Sequence, residues 1–222
     1  MDVVTIVGVV VIAIFSITSH EAAHGFAADR LGDSTAREAG RLTLNPIPHI
    51  DPFFTLLLPL TLLLTGAPFI FGGAKPVPVN VRRLHNPRRD GALVGAAGPG
   101  ANIAIALGLM ALFALTRALG LPADSHLAQI ASSGIFINAL LAVFNLIPIP
   151  PLDGSRVVQY FLPPSALAVY QQFERFGLLI IVALLLFAPQ LQRPLLGAVT
   201  WLITAMATLF GVQSEFAGSG MN

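Results

Sequence analysis

The chain contains no cysteine, which excludes disulfides and thiolate metal ligands. It also has little charge. Only 10% of its 222 residues are Asp, Glu, Lys or Arg, where a soluble domain carries about a quarter. Net charge is +1, with no basic tail and no basic–aromatic patch, so no nucleic-acid partner is expected. The first residues, Met1-Asp2-Val3-Val4, lack the basic stretch of a cleavable signal peptide. The apolar run behind them is expected to be a retained span. No internal repeat is found. What is abundant is apolar: 55% of residues are hydrophobic and the mean hydropathy is +0.79. The composition is that of an all-α polytopic membrane protein with the lipid bilayer as its solvent.

Within that apolar background stands His20-Glu21-Ala22-Ala23-His24. Residues four apart share one helix face, so both imidazoles can reach a single metal ion. Glu21 lies beside that face, where it can accept a proton from water activated by the metal. The run Val3–Ile17 leads directly into this stretch. Ionisable groups at membrane depth are costly and mark functional sites.

Span one is expected over Val3–Ala28, ending near Asp29, Arg30 and Gly32. Asn45–Pro52 is too rich in proline for regular helix. Phe53–Phe71 is apolar and long enough to cross, but Pro59 interrupts it and Gly66, Pro68, Gly72 and Gly73 crowd its end. Lys75–Val81 alternates with prolines at every second position, which reads as an edge strand. Further spans are expected over Ala92–Leu119, Leu127–Ile147, Ala166–Phe187 and Pro194–Phe210. That gives five to six transmembrane helices with a short edge strand near the site. One domain over 1–212 is expected, with its core at about 3–158, two extra helices within 166–210 and a disordered polar tail at 213–222.

A catalytic metal of this type takes three protein ligands and keeps one open position. The remaining candidates are His49, Asp51, His85, His126, Asp153 and a few loop acids. Asp153 is the best of them, because it follows a span directly through the irregular run Pro148–Leu152. A site of two His and one carboxylate suits zinc, although iron or cobalt could occupy similar ligands. His20–His24 and Asp153 both lie at the C-terminal ends of their spans. They can meet only if an odd number of crossings separates them. Ala92–Leu119 supplies one, so Phe53–Phe71 is predicted to enter the membrane and return. Arg30, Arg37 and Arg41 before it, and Lys75, Arg82, Arg83, Arg88 and Arg89 after it, then share one side, the cytoplasmic one.

Three motifs in order carry a resemblance: His20-Glu21-Ala22-Ala23-His24, Gly98-Pro99-Gly100-Ala101-Asn102, and Asn145 through Pro148, Pro150 and Pro151 to Leu152-Asp153-Gly154. Over about Val3–Val158 the chain resembles the site-2 proteases, which are intramembrane zinc metalloproteases, and most closely their small members without a PDZ-type domain. The resemblance implies one zinc ion per chain held by His20, His24 and Asp153. It implies Glu21 as general base, with Asn102 and Asn145 ordering the site or steadying the oxyanion. It further implies a multi-pass protein of the cell (inner) membrane that cuts transmembrane or membrane-proximal segments of other proteins. The Lys75–Val81 strand would hold an unwound substrate by β-augmentation. Two other functions use the same residues: a metal or proton transporter, and a catalytically inactive scaffold that binds transmembrane segments. The absence of paired halves speaks against the first. The intact Glu21 speaks against the second.

Overall fold

A computed structural model describes residues 2–66, 72–172, 174–177, 179–181, 183 and 192–214. Three of its helices are long and apolar enough to cross a membrane: α1 (Val3–Arg30), α4 (Pro87–Ala118) and α5 (His126–Asn145). The first two begin and end where short-range chemistry dictates. Asp2 accepts the Thr5 N–H at 3.0 Å and caps α1, and Asn86 caps α4 with Pro87 in the first turn. Gly32 (φ 108°) and Gly120 (φ 74°) take the left-handed conformation just beyond α1 and α4.

The helices pack through small residues. A Cβ on Gly8 would lie 2.4 Å from Ile130, and one on Gly134 would lie 2.7 Å from Leu109. Without water as solvent, such close backbone approach is what holds spans together. Below this contact Met110 and Phe113 of α4 and Ile135 of α5 form a core with Val199, Ile203 and Met206 of a further helix, α8 (Gln192–Leu209). The outer face of α1 keeps Val3, Val7, Val10 and Val11 exposed, as lipid contact requires.

The segment between α1 and α4 returns on itself. After the four-residue helix α2 (Thr35–Glu38), a π-helical stretch (Pro52–Leu57) leads into α3 (Leu58–Leu64), which ends before Gly66 (φ 67°). Together these helical pieces are shorter than the roughly 20 residues a crossing needs. The Thr55 hydroxyl donates to the Gly73 carbonyl at 2.7 Å, and the Lys75 N–H donates to the His49 carbonyl at 2.8 Å. The chain therefore comes back beside the point it left. Residues 67–71, which include Pro68, lie outside the described residues.

Two expectations are revised here. Residues 72–80 carry neither helix nor strand, so the edge strand expected at Lys75–Val81 is not formed among the described residues. The prolines do thin out its donors, but a strand also needs a neighbouring strand, and none lies there. The span expected over Ala166–Phe187 is not continuous: α7 (Pro164–Gln172) stops, and a 3₁₀ turn covers Glu174–Phe176. Gln171, Gln172, Glu174 and Arg175 interrupt the apolar run at that point. Three helices among the described residues reach spanning length, and residues 184–187 of the expected Ala166–Phe187 span lie outside the described residues. Of the expected tail, 215–222 lies outside the described residues.

Candidate metal centre

His20 and His24 sit one turn apart on the C-terminal half of α1, and both are nearly buried. Asp153 comes from the far side of the chain. It opens α6 (Asp153–Phe161) after the proline-rich turn at the end of α5. Gly154 makes that turn possible, since a Cβ there would lie 2.1 Å from the Leu146 carbonyl oxygen. The Arg88 guanidinium donates to the Gln159 and Tyr160 carbonyls at 3.1 and 3.2 Å, and to that of Leu162. These bonds fix the C-terminal end of α6 against α4.

The three side chains meet. Asp153 Oδ2 lies 3.1 Å from His20 Nε2 and 3.2 Å from His24 Nε2, and the two Nε2 atoms are 3.2 Å apart. The protons on the rings are fixed from behind. His24 Nδ1 lies 2.7 Å from the Val94 carbonyl of α4, which can only accept. His20 Nδ1 lies 2.7 Å from Asn102 Oδ1. That oxygen is identified by the other end of the amide, where Nδ2 donates to Asn138 Oδ1 at 3.0 Å and toward the Ser16 carbonyl at 3.4 Å. Asn138 in turn donates to Ser16 Oγ and to the Gly134 carbonyl, both at 2.8 Å. With both Nδ1 atoms protonated, each neutral imidazole turns an Nε2 lone pair inward. Asp153 Oδ2 is buried and receives no hydrogen bond.

In that neutral tautomer three acceptors face one another. That arrangement is repulsive alone and is what a cation requires. Atoms at the corners of such a triangle lie roughly 1.8 Å from its centre, so an ion slightly above the plane reaches the ~2.0–2.2 Å typical of zinc with nitrogen and oxygen. Gly98 of α4 gives the rings their room, for its missing Cβ would lie 2.4 Å from His24 Nε2. Gly95, three residues earlier, lets the Asp153 backbone approach in the same way.

Glu21 does not join this triad. Its Oε2 accepts the Val77 N–H at 2.9 Å, from the 72–80 segment that crosses beside α1. Asn102 stands behind His20, wholly buried, with both amide hydrogens engaged. Asn145, the last residue of α5, donates to Leu141 of its own helix at 2.9 Å. His49 is buried against the Thr43 carbonyl, and Asp51 accepts the Phe53 N–H. His126 pairs with Asp2 near the N-terminus of α1, the opposite end from the triad.

The structure adds Asn138 and Ser16 to the site residues. The signal was there, in polar side chains within apolar spans. Asp33 is a further residue that only the structure brings into view. Its buried carboxylate accepts the Asn80 N–H at 2.6 Å and the Thr35 N–H at 3.0 Å. Burial pushes its pKa up, but the bonds from Thr35 and Asn80 and the nearby Arg83 outweigh this and hold it below the usual carboxylate value.

Residues 118–188 match the family model described as Peptidase family M50. The chain is 41% identical over 179 residues to "Putative zinc metalloprotease YwhC" of Bacillus subtilis (strain 168), covering 79% of this chain and 78% of the relative. It is 33% identical over 219 residues to "Putative zinc metalloprotease Rip2" of Mycolicibacterium smegmatis, covering 96% of this chain and 80% of the relative. A shorter match, 33% identical over 98 residues, joins it to "Putative zinc metalloprotease MJ0611" of Methanocaldococcus jannaschii, covering 44% and 47% of the two chains. No solved structure matches the chain.

Proposed function

Starting from the premise that this chain belongs to peptidase family M50, the site-2 protease family, and is a zinc metalloprotease, we propose that it is an intramembrane endopeptidase. In this reading it hydrolyses peptide bonds in or near the transmembrane segments of other membrane proteins. The observation that carries the proposal is the convergence of His20, His24 and Asp153 between helices of spanning length. These three residues would hold the zinc. Bound there, zinc supplies Lewis acidity toward a water molecule and the scissile carbonyl.

The other steps belong to the protein. Glu21 takes the proton from the attacking water and returns it to the leaving nitrogen. The Val94 carbonyl and Asn102 keep the imidazoles in the tautomer that presents Nε2. Asn102 suits this orienting task better than oxyanion binding, since it has no free N–H. Asn145, at the end of α5, remains the candidate donor to the oxyanion. A substrate helix hides its carbonyls in internal bonds and must unwind before it can be cut. Residues 75–81 would take up strand pairing only when such an unwound segment lies beside them.

The chain acts as one membrane-embedded domain over 1–212, with the site toward the cytoplasmic face of the cell membrane. The His85 N–H donates to the Leu31 carbonyl at 2.9 Å, which sets the end of α1 beside the start of α4. Arg30, Arg37, Arg82, Arg83, Arg88 and Arg89 cluster in sequence around these two ends, and the positive-inside rule favours the cytoplasm for them.

The test is metal removal. Purified protein should hold one zinc per chain and cut a transmembrane reporter. A chelator should stop the cutting and added zinc should restore it. Cutting that persists in metal-free protein, or failure to take up metal, would overturn the assignment. Asn102→Ala should weaken zinc binding by roughly 10–100-fold, because it leaves the His20 N–H unpaired. Chelator competition measures this, and activity should recover at high zinc. An unchanged affinity would mean that His20 is oriented by something else.

A further inference from the structure

Arg41 is 7% exposed, and among the described residues it pairs with no carboxylate. Its Nη2 donates to the Lys75 carbonyl at 2.7 Å and toward that of Pro76 at 3.4 Å, and its Nε has no partner. A buried cation without a counter-charge is costly, so the placement calls for a reason beyond packing.

The two carbonyls lie immediately before Val77. Pro76 and Pro78 have no N–H, so Val77 holds the one amide hydrogen within that tripeptide. It is this hydrogen that Glu21 Oε2 accepts. The Val77 side chain packs at Gly25, one turn beyond Glu21 on α1; a Cβ on Gly25 would lie 3.1 Å from Val77 Cγ1. Asp33 ties the far end of the segment at Asn80. Arg41 thus grips the main chain immediately before the single N–H that meets the carboxylate.

We propose that Arg41 is a positioning residue for Glu21, acting through the main chain of residues 75–77. The bond from Val77 directs one carboxylate oxygen and leaves Oε1 for the proton. A carboxylate oriented in this way is ready for transfer, and a displacement of about 1 Å lowers a rate by as much as about 100-fold. The inference rests on the reading of Glu21 as general base.

The experiment pairs kinetics with hydrogen exchange on the zinc-loaded full-length protein. The prolines simplify the readout, because Val77 is flanked by residues with no exchangeable amide. In Arg41→Ala, Val77 should exchange at least about tenfold faster, and kcat should fall roughly 10–100-fold with KM and zinc content little changed. Arg41→Lys, a point donor that can reach one carbonyl, should recover part of both effects. If Arg41→Ala does not fold, Arg41→Lys alone carries the same two readouts with smaller changes. A fall in kcat with Val77 still protected overturns the proposal. So does loss of protection with kcat intact, or a wild-type Val77 amide that exchanges freely. Glu21→Gln in parallel separates this inference from its premise. If that variant cuts like wild type, the base assignment fails, while exchange at Val77 still reports whether Arg41 sets the segment.

Discussion

Gly98→Ala should give a folded, membrane-inserted protein that holds no zinc, although no ligand is changed. The new Cβ would lie 2.4 Å from His24 Nε2, 2.6 Å from His24 Cε1 and 2.7 Å from His20 Cε1. Something must move, and the rings are not free to do so. Each is tied at 2.7 Å through its Nδ1, to the Val94 carbonyl and to Asn102. Turning either ring away breaks that bond and removes its Nε2 from the triad. The alternative is to part α1 from α4, which separates the same atoms. Alanine is the better helix former by about 1 kcal/mol, so α4 itself should tolerate the change. The expected result is loss of stoichiometric zinc with near-normal helix content. It is measured by metal analysis of purified protein and by circular dichroism. Zinc held at wild-type affinity would show that α4 does not lie against the two imidazoles.

Glu21→Gln should do the reverse, keeping zinc and abolishing cleavage. The glutamine retains an oxygen for the Val77 N–H, and its volume is nearly unchanged. What it loses is the capacity to take and return a proton, a contribution of roughly 10²–10⁴-fold in rate. His24→Ala provides the contrast, since it should lose metal and activity together. Cleavage by Glu21→Gln within a few-fold of wild type would remove Glu21 from the chemistry. A scaffold that works without catalysis would be equally indifferent to the change, so a binding assay on the same variant separates the two outcomes.

The parts of the site that a local pattern marks were legible in the sequence. His20 and His24 declare themselves by spacing, and Asp153 by standing where an apolar span ends in prolines. The count of crossings required Phe53–Phe71 to double back, and the bonds from Thr55 to Gly73 and from Lys75 to His49 bring its two ends together. The support around the site was not legible, because its partners are far apart along the chain. Asn138 and Ser16 are separated by 122 positions, and Val77 and Glu21 by 56. Nothing local in either segment names the other. The alternation in Lys75–Val81 fits a strand in period and proline placement. Pairing is a property of two segments, and this pattern described only one of them.

The chain of amides behind His20 touches three helices at a single depth: Ser16 on α1, Asn102 on α4 and Asn138 on α5. It works as a rotational lock. Turning any one of these helices about its own axis unseats a polar group in a region with no water to replace its partner. In the proposed protease, a substrate segment would have to enter where this lock does not reach, with the seams among α1, α4 and α5 kept shut at this depth.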